Sequence, residues 1–217
     1  MEEIQIDTIL GKLSDKRKIF HSEGDFQFSL GCEIQSLPNM KVVVERPMKV
    51  NKKETEHIDM LVYDKITKIG IELKFMKGKF AGEVDGDEYH WPGNEADDLK
   101  CYGITKDIQR LEHYVQNKSI DIGYSIVLTN DPILWKESDG NSNDDEFRVA
   151  EGRILHGTMA WKPETGANTK VNHENPISLI GKYPVHWQKY SKINIQTESN
   201  NIFKYLVFKV DKSKMQQ

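Results

Sequence analysis

Two short apolar segments joined by a polar turn constrain this sequence more than any other feature. His57–Tyr63 and Ile69–Phe75 are rich in branched and aromatic residues, and residues 64–68 separate them. A connection of this length favours a β-hairpin. The two segments therefore predict neighbouring antiparallel strands.

The segments on either side of this hairpin predict an α/β layout. Ser22 begins a Ser-Glu-Gly-Asp sequence that resembles a helix N-cap, and helical apolar spacing continues from there to Pro38. The valine-rich segment Lys41–Met48 predicts a first strand. A helix over about 101–117 and a buried strand at Ile120–Thr129 follow the hairpin. The predicted order is helix, three strands, helix and strand.

The remaining segments are less regular. Ile4–Phe20 has roughly helical apolar spacing, whereas Lys77–Leu99 reads as a long polar loop that is rich in glycine and acid. Ile202–Val210 is the clearest strand of the last third. We therefore expect residues 1–150 to form the core with its N-terminal helix. Residues 151–217 should be a β-rich extension packed on the same domain.

Composition limits the class of protein. Hydrophobic residues make up 37% and charged residues 29% of the 217 residues, which is typical of a soluble globular chain. The sequence has no apolar run of membrane-spanning length, so we expect a cytoplasmic protein that does not bind membranes. Two cysteines do not suggest a disulfide framework.

The distribution of charge matters more than its sum. A net charge of −4 argues mildly against a nucleic-acid binder. However, residues 41–80 contain ten Lys or Arg against six Asp or Glu, and residues 162–217 contain nine lysines against four acids. Both regions could face phosphate groups. For any single lysine, a solvated surface position is the alternative interpretation.

The second hairpin strand combines an apolar face with two charged residues. Side chains alternate between the faces of a strand, so Gly70, Glu72 and Lys74 share the face opposite the apolar residues. A carboxylate and an ammonium group on such a strand are costly unless they pair or have a function. A buried Glu72–Lys74 pair is one interpretation, and a catalytic site is the other.

Asp59, near the start of the first hairpin strand, is a plausible neighbour of Glu72 across the ladder if the register allows. Two carboxylates brought together repel each other, and a divalent cation relieves the repulsion. Hard oxygen ligands suit Mg²⁺ or Mn²⁺. The hairpin therefore predicts a metal site.

Asp59 followed by Glu72-Leu73-Lys74 resembles the D-x(n)-(D/E)-x-K signature of the PD-(D/E)XK nuclease superfamily. The gap of 13 residues (72 − 59) suits a hairpin, although Ile58 replaces the proline of the signature. The superfamily's restriction-endonuclease-like αβββαβ core, a mixed central sheet flanked by helices, has the order predicted above. Glu23 lies where the superfamily often has a glutamate. The resemblance covers about residues 20–130.

The resemblance implies metal-dependent hydrolysis of phosphodiester bonds in DNA by a restriction- or repair-like enzyme. Asp59, Glu72 and the Leu73 carbonyl would hold one or two Mg²⁺ (or Mn²⁺) ions, with Glu23 binding directly or through water. Lys74 would hold or help deprotonate the attacking water and offset negative charge. The alternatives are a nucleic-acid-binding module that does not cut and a subunit of a larger nuclease complex; a homodimer is also compatible.

Further residues are candidates for contacts with nucleic acid. Lys106 and Gln109 fall off the apolar face of the predicted second helix, where solvated surface is the alternative. In the C-terminal third, lysines are interleaved with aromatic residues, a composition that suits phosphate contacts and base stacking. The candidates there are Lys182, Trp187, Lys189 and Lys192. Ordinary strand packing is the alternative for Trp187.

Overall fold

The computed structural model describes residues 4–49, 55–93, 97–137, 140, 142–166, 170–171, 173–194 and 200–216. Within these residues the α-helices are α1 (Ile6–Lys16), α2 (Glu23–Gln35) and α3 (Asp97–Gln116). The strands are β1 (Lys41–Lys49), β2 (Thr55–Tyr63), β3 (Lys68–Met76), β4 (Phe80–Val84), β5 (Asp87–Trp91), β6 (Ile122–Thr129), β7 (Ile154–Met159), β8 (Ile177–Pro184), β9 (Gln188–Lys192) and β10 (Ile202–Val210). Short 3-10 helices span Asp145–Phe147 and Lys214–Gln216.

A six-stranded mixed sheet lies at the centre, in the order β1-β2-β3-β6-β10-β9. The first three strands form an antiparallel meander, β6 runs parallel to β3, and β10 is antiparallel to both β6 and β9. The predicted α/β class and mixed central sheet are confirmed. The predicted order of elements through Thr129 is also observed, with one hairpin added.

That added hairpin corrects the prediction of a long polar loop after residue 77. β4 and β5 pair antiparallel, and Phe80, Tyr89 and Trp91 from this hairpin are buried in an aromatic cluster that includes Phe203. The exposed acidic residues between these aromatics made the segment look like a loop. Residues 94–96 of the predicted loop lie outside the described residues.

Each face of the sheet buries its own apolar cluster. α1 and α2 cover one face, where Ile71, Leu73 and Phe75 of β3 pack with them. α3 covers the other face through a stripe formed by Ile104, Ile108, Leu111 and Val115. As predicted, Ser22 caps α2, because its hydroxyl accepts the Asp25 N–H at 3.1 Å. None of the helices in the described ranges is both long and apolar enough to cross a membrane.

The C-terminal third contributes to two parts of the fold. β9 and β10 are strands of the central sheet, whereas β7 and β8 pair with each other, and β8 packs on α3. The buried Glu112 carboxylate of α3 accepts the N–H groups of Ile180 (3.0 Å) and Gly181 (2.7 Å) and the Tyr183 hydroxyl (2.8 Å). This contact fixes α3 between the sheet and β8.

At Gly123 of β6, α3 packs tightly against the sheet. A Cβ atom at this position would lie 2.9 Å from Leu111 Cβ, which is too close for two carbon atoms. At Gly11, in the interior of α1, an added Cβ would have no neighbour within 4 Å.

We expect Gly123→Ala to lower the free energy of unfolding by about 1–3 kcal/mol, because α3 must move away from the sheet. Gly11→Ala should raise it by roughly 0.5–1 kcal/mol, because alanine is the better helix former. Denaturant unfolding of both variants measures the two effects. Equal changes in the same direction would contradict the tight contact at Gly123.

Candidate functional site

The hairpin strands β2 and β3 separate at the candidate site. Their last paired residues are Met60 and Ile71, so the backbone of β3 beyond this point has no neighbour in β2. Two carboxylates replace the missing strand. Asp59 Oδ2 accepts the Leu73 N–H at 2.6 Å, and Glu23 Oε2 accepts the Phe75 N–H at 2.8 Å. The separation therefore places two acidic side chains on the backbone of β3.

An irregularity in the pairing of β1 and β2 at Asp59 accompanies this separation. Within the paired residues of β1 and β2, Glu45 and Asp59 are not partners although their neighbours are, and Glu45 has φ +49°. Gln27 Nε2 instead donates to the Asp59 carbonyl (2.7 Å) and to Glu45 Oε1 (3.2 Å). Ile58 and Met60 then pack into the clusters on opposite faces of the sheet. Regular alternation fails here, so sequence could not predict where Asp59 points.

Glu72 and Lys74 lie on the face of β3 that meets α3, as their alternation predicts. Glu72 is 1% exposed, and Arg110 Nη2 donates to its Oε1 at 2.7 Å. Lys74 Nζ lies 3.0 Å from Asp107 Oδ2 and donates to the Leu73 carbonyl at 3.1 Å. Glu72 and Lys74 thus each have an oppositely charged partner on α3, in place of a direct Glu72–Lys74 pair.

Sequence reasoning missed the α3 partners. Lys100, Gly103, Asp107, Arg110 and Tyr114 recur every three or four residues, which puts them on one side of a helix beside the apolar stripe. That spacing was the signal that could have identified Asp107 and Arg110.

The predicted helix residues Lys106 and Gln109 lie next to this polar stripe. Both line a cavity together with Arg110 and Tyr114. Lys106 is exposed, and Gln109 Nε2 donates to the Ser178 carbonyl at 3.2 Å. The prediction that they contact nucleic acid stays a prediction.

Carboxyl groups outnumber cationic groups at the site. Among the described residues, two cations, Lys74 and Arg110, are linked by contacts to a larger acidic group. The acidic group consists of Glu23, Glu56, Asp59, Glu72 and Asp107. A divalent cation is the natural counter-charge for such a surplus.

Burial and neighbouring charges shift the pKa values of several residues at the site. Burial, followed by the Asp107 carboxylate, raises the pKa of Glu72 to about 9. Burial also raises the pKa of Asp107 and of Glu23. Burial alone would lower the pKa of Lys74, but the Asp107 and Glu23 carboxylates outweigh it, and the pKa is raised. Lys74 is therefore an ammonium group at neutral pH.

The predicted metal ligands are oxygen atoms of the type that a divalent cation prefers, but few of them come together at one point. Asp59, Glu72, Glu23 and the Leu73 carbonyl supply hard oxygen atoms, and Leu73 contacts both Asp59 and Lys74 through its backbone. Within the described ranges, no three His, Cys, Asp or Glu side chains form a ready metal-binding group. A cation here would use two carboxylates and the Leu73 carbonyl.

The C-terminal residues that were predicted to bind nucleic acid come from β8, β9 and the segment between them. Lys182 is exposed on β8, and Lys189 and Lys192 are exposed on β9, the outer strand three positions from β3. Trp187 needs a correction. It is 5% exposed, its indole N–H donates to the Val149 carbonyl at 2.7 Å, and its ring packs against Trp135, so it cannot stack on a base.

Comparisons of the chain with protein-family models, with curated proteins and with solved structures gave no match. The assignment of a function to this chain therefore depends on the geometry and chemistry of the cluster around Leu73.

Proposed function

We propose that this protein is a metal-dependent nuclease that hydrolyses phosphodiester bonds of DNA on a restriction-endonuclease-like fold, with Asp59, Glu72 and Lys74 at its active site. One observation carries the proposal: the backbone of Leu73 joins the key groups. Its N–H donates to Asp59, its carbonyl accepts from Lys74, and Glu72 precedes it on the strand. An acidic pair and an ammonium group around one peptide are what such a hydrolysis requires.

In this proposal, the metal ion would activate a water molecule and offset negative charge. Mg²⁺ or Mn²⁺ held by Asp59, Glu72 and the Leu73 carbonyl, with Glu23 binding directly or through water, would lower the pKa of a bound water and offset charge on the phosphate. The Lys74 ammonium group donates to the incoming water or to a phosphate oxygen and offsets the charge that develops there. Asp107 holds Lys74 in position, and Arg110 holds Glu72.

The proton released by the water needs an acceptor. Glu23 is suited to this, because partial desolvation raises its pKa above that of a glutamate in water, while the residue stays in contact with solvent. Water adds to phosphorus, its proton passes to the carboxylate, and the ester oxygen leaves with a proton from solvent. Lys74 stays protonated throughout, as its raised pKa favours.

A second candidate is a protein that binds nucleic acid, alone or within a larger complex, without cutting it. The 2.7 Å pairing of Arg110 with Glu72 favours it, because the arginine already supplies a cation to a proposed metal ligand. Cleavage by the isolated chain separates the two candidates. We expect purified protein to nick plasmid DNA with Mg²⁺ or Mn²⁺ and to stop in EDTA. A folded protein that binds DNA but never cuts it would contradict the nuclease proposal.

Replacing Lys74 should abolish cleavage while keeping the metal ligands. We expect Lys74→Ala to lower kcat by at least about 100-fold, because charge at the phosphate is no longer offset. Lys65→Ala is the matched control, because it removes the same charge from the exposed turn between β2 and β3. Plasmid nicking is measured alongside thermal unfolding. Unchanged turnover in a folded Lys74→Ala protein would show that the site is not catalytic.

Metal binding should strengthen as pH rises. Without metal, the raised pKa of Glu72 means that the folded state holds its proton more tightly than the unfolded chain. Its contribution to stability is complete below about pH 4.5 and is lost as pH rises towards about 9. A metal ion needs the deprotonated carboxylate, so it competes with that proton.

We therefore expect Mg²⁺ to raise the Tm more at about pH 8.5 than at about pH 6. Asp59→Asn should remove the increase, whereas Glu72→Gln should weaken it and reduce its pH dependence. Thermal unfolding with and without Mg²⁺ at both pH values is the measurement. An increase in Tm that survives in Asp59→Asn would place the metal elsewhere.

A further inference from the structure

We infer that a cavity beside Arg110 takes up an adenine base of the substrate strand, and that the side-chain amide of Gln109 recognises this base. The cavity has a volume of about 370 Å³, and α3, β8 and the start of β2 form its walls. Arg110 lines it and also donates to Glu72 at 2.7 Å, so the cavity adjoins the candidate site. This inference rests on the proposed function and adds a base-recognition site to it.

Hydrogen bonds hold two walls of the cavity together. Gln109 Nε2 of α3 donates to the Ser178 carbonyl of β8 at 3.2 Å. One helical turn further on, the Glu112 carboxylate accepts the Ile180 and Gly181 N–H groups at 3.0 and 2.7 Å. A cavity with walls fixed in this way exists before a ligand arrives, and a preformed site binds with a smaller cost in ordering.

Gln109 offers both a donor and an acceptor to a ligand. It is half-buried, and the bond to Ser178 is the one hydrogen bond of its side chain within the part of the protein that the structure describes. A glutamine amide has two donor hydrogens and an acceptor oxygen, so one hydrogen and the oxygen remain. Adenine carries an amino group beside a ring nitrogen, and a glutamine amide matches this pair of groups in bidentate contacts with DNA.

The rest of the lining suits the flat, uncharged ring of a base. Ile180 lines the cavity from β8 and is 50% exposed, so it offers an apolar surface on which a base turned out of its strand can pack. Two Glu side chains and two Lys or Arg side chains also line the cavity, namely Glu56, Glu112, Lys106 and Arg110. Because neither sign predominates among these four, a neutral base suits the cavity better than a phosphate group.

The first test measures the Kd of fluorescent single-stranded oligonucleotides in EDTA, where the proposed cleavage is blocked. One oligothymidine strand carries a single adenine, and a second strand carries purine, which lacks the amino group, at the same position. We expect the adenine strand to bind about fivefold more tightly, as for one additional hydrogen bond. Equal affinities of the two strands would overturn the inference.

Gln109→Ala separates recognition of the base from packing. We expect this variant to lose the preference for adenine over purine, because the group that contacts the amino group is gone. Gln109→Glu keeps an acceptor oxygen and should keep the preference. A purely structural side chain would weaken both strands equally and leave the ratio of the two Kd values unchanged. That unchanged ratio, in a Gln109→Ala protein shown to be folded by thermal unfolding, would refute recognition by Gln109.

The apolar wall is tested at Ile180. Ile180→Ser should weaken binding of the adenine strand about fivefold, because the base loses an apolar contact. Ile154→Ser is the matched control, since Ile154 of β7 is 52% exposed and is not among the residues that line the cavity. It should bind as the parent does. Equal behaviour of the two serine variants would show that no base packs on Ile180.

Cleavage separates this inference from the nuclease proposal. If the protein cuts, we expect the cut in the adenine strand to lie at a fixed distance from the adenine and to lose this fixed position in Gln109→Ala. Cuts spread evenly along the strand of the parent would count against the cavity. If the parent binds but never cuts, the nuclease proposal fails, while the ratio of Kd values still tests the cavity. Tighter binding of a strand with cytosine at the same position would overturn the assignment to adenine.

Discussion

Beyond Ile71, β3 loses its neighbour in β2, and its backbone N–H groups must find other partners. Buried amides without partners are costly, so the fold at this point depends on the carboxylates of Asp59 and Glu23, which accept the Leu73 and Phe75 N–H groups. The hydrogen bonds that complete the sheet therefore also bring two acidic side chains to the same strand. Stability and the proposed chemistry therefore share one set of atoms, and losing either carboxylate would disturb both.

The charges of Glu72 and Lys74 on β3 are balanced by residues of α3, the helix that covers this face of the sheet. Arg110 pairs with Glu72, and Asp107 pairs with Lys74, so the rotation of α3 about its axis decides whether the site is neutralised. That rotation is fixed by Leu111 against Gly123 and by Glu112 on the backbone of β8. Residues of the C-terminal third therefore set the electrostatics of a site whose side chains all come from earlier in the chain.

Much of the fold could be predicted because its signals are local. The hairpin, the N-cap at Ser22 and the face on which Glu72 and Lys74 lie follow from spacing over a few residues. The irregular pairing at Asp59 could not be predicted, since it involves a contact from Gln27 of α2, far away in the sequence. For Trp187 the sequence left base stacking and core packing open, and contacts with Val149 and Trp135, far away in the sequence, decide for packing.

The position of β10 in the sheet has a consequence for synthesis of the protein. Every side chain of the cluster around Leu73 lies before residue 111, yet β6 gains its second neighbour only when Ile202–Val210 pairs with it. On a ribosome, the parallel pair β3–β6 would have an open edge until Ile202–Val210 has emerged. The side chains of the cluster around Leu73 are therefore synthesised early, but the sheet beneath them is completed only when β10 has been made.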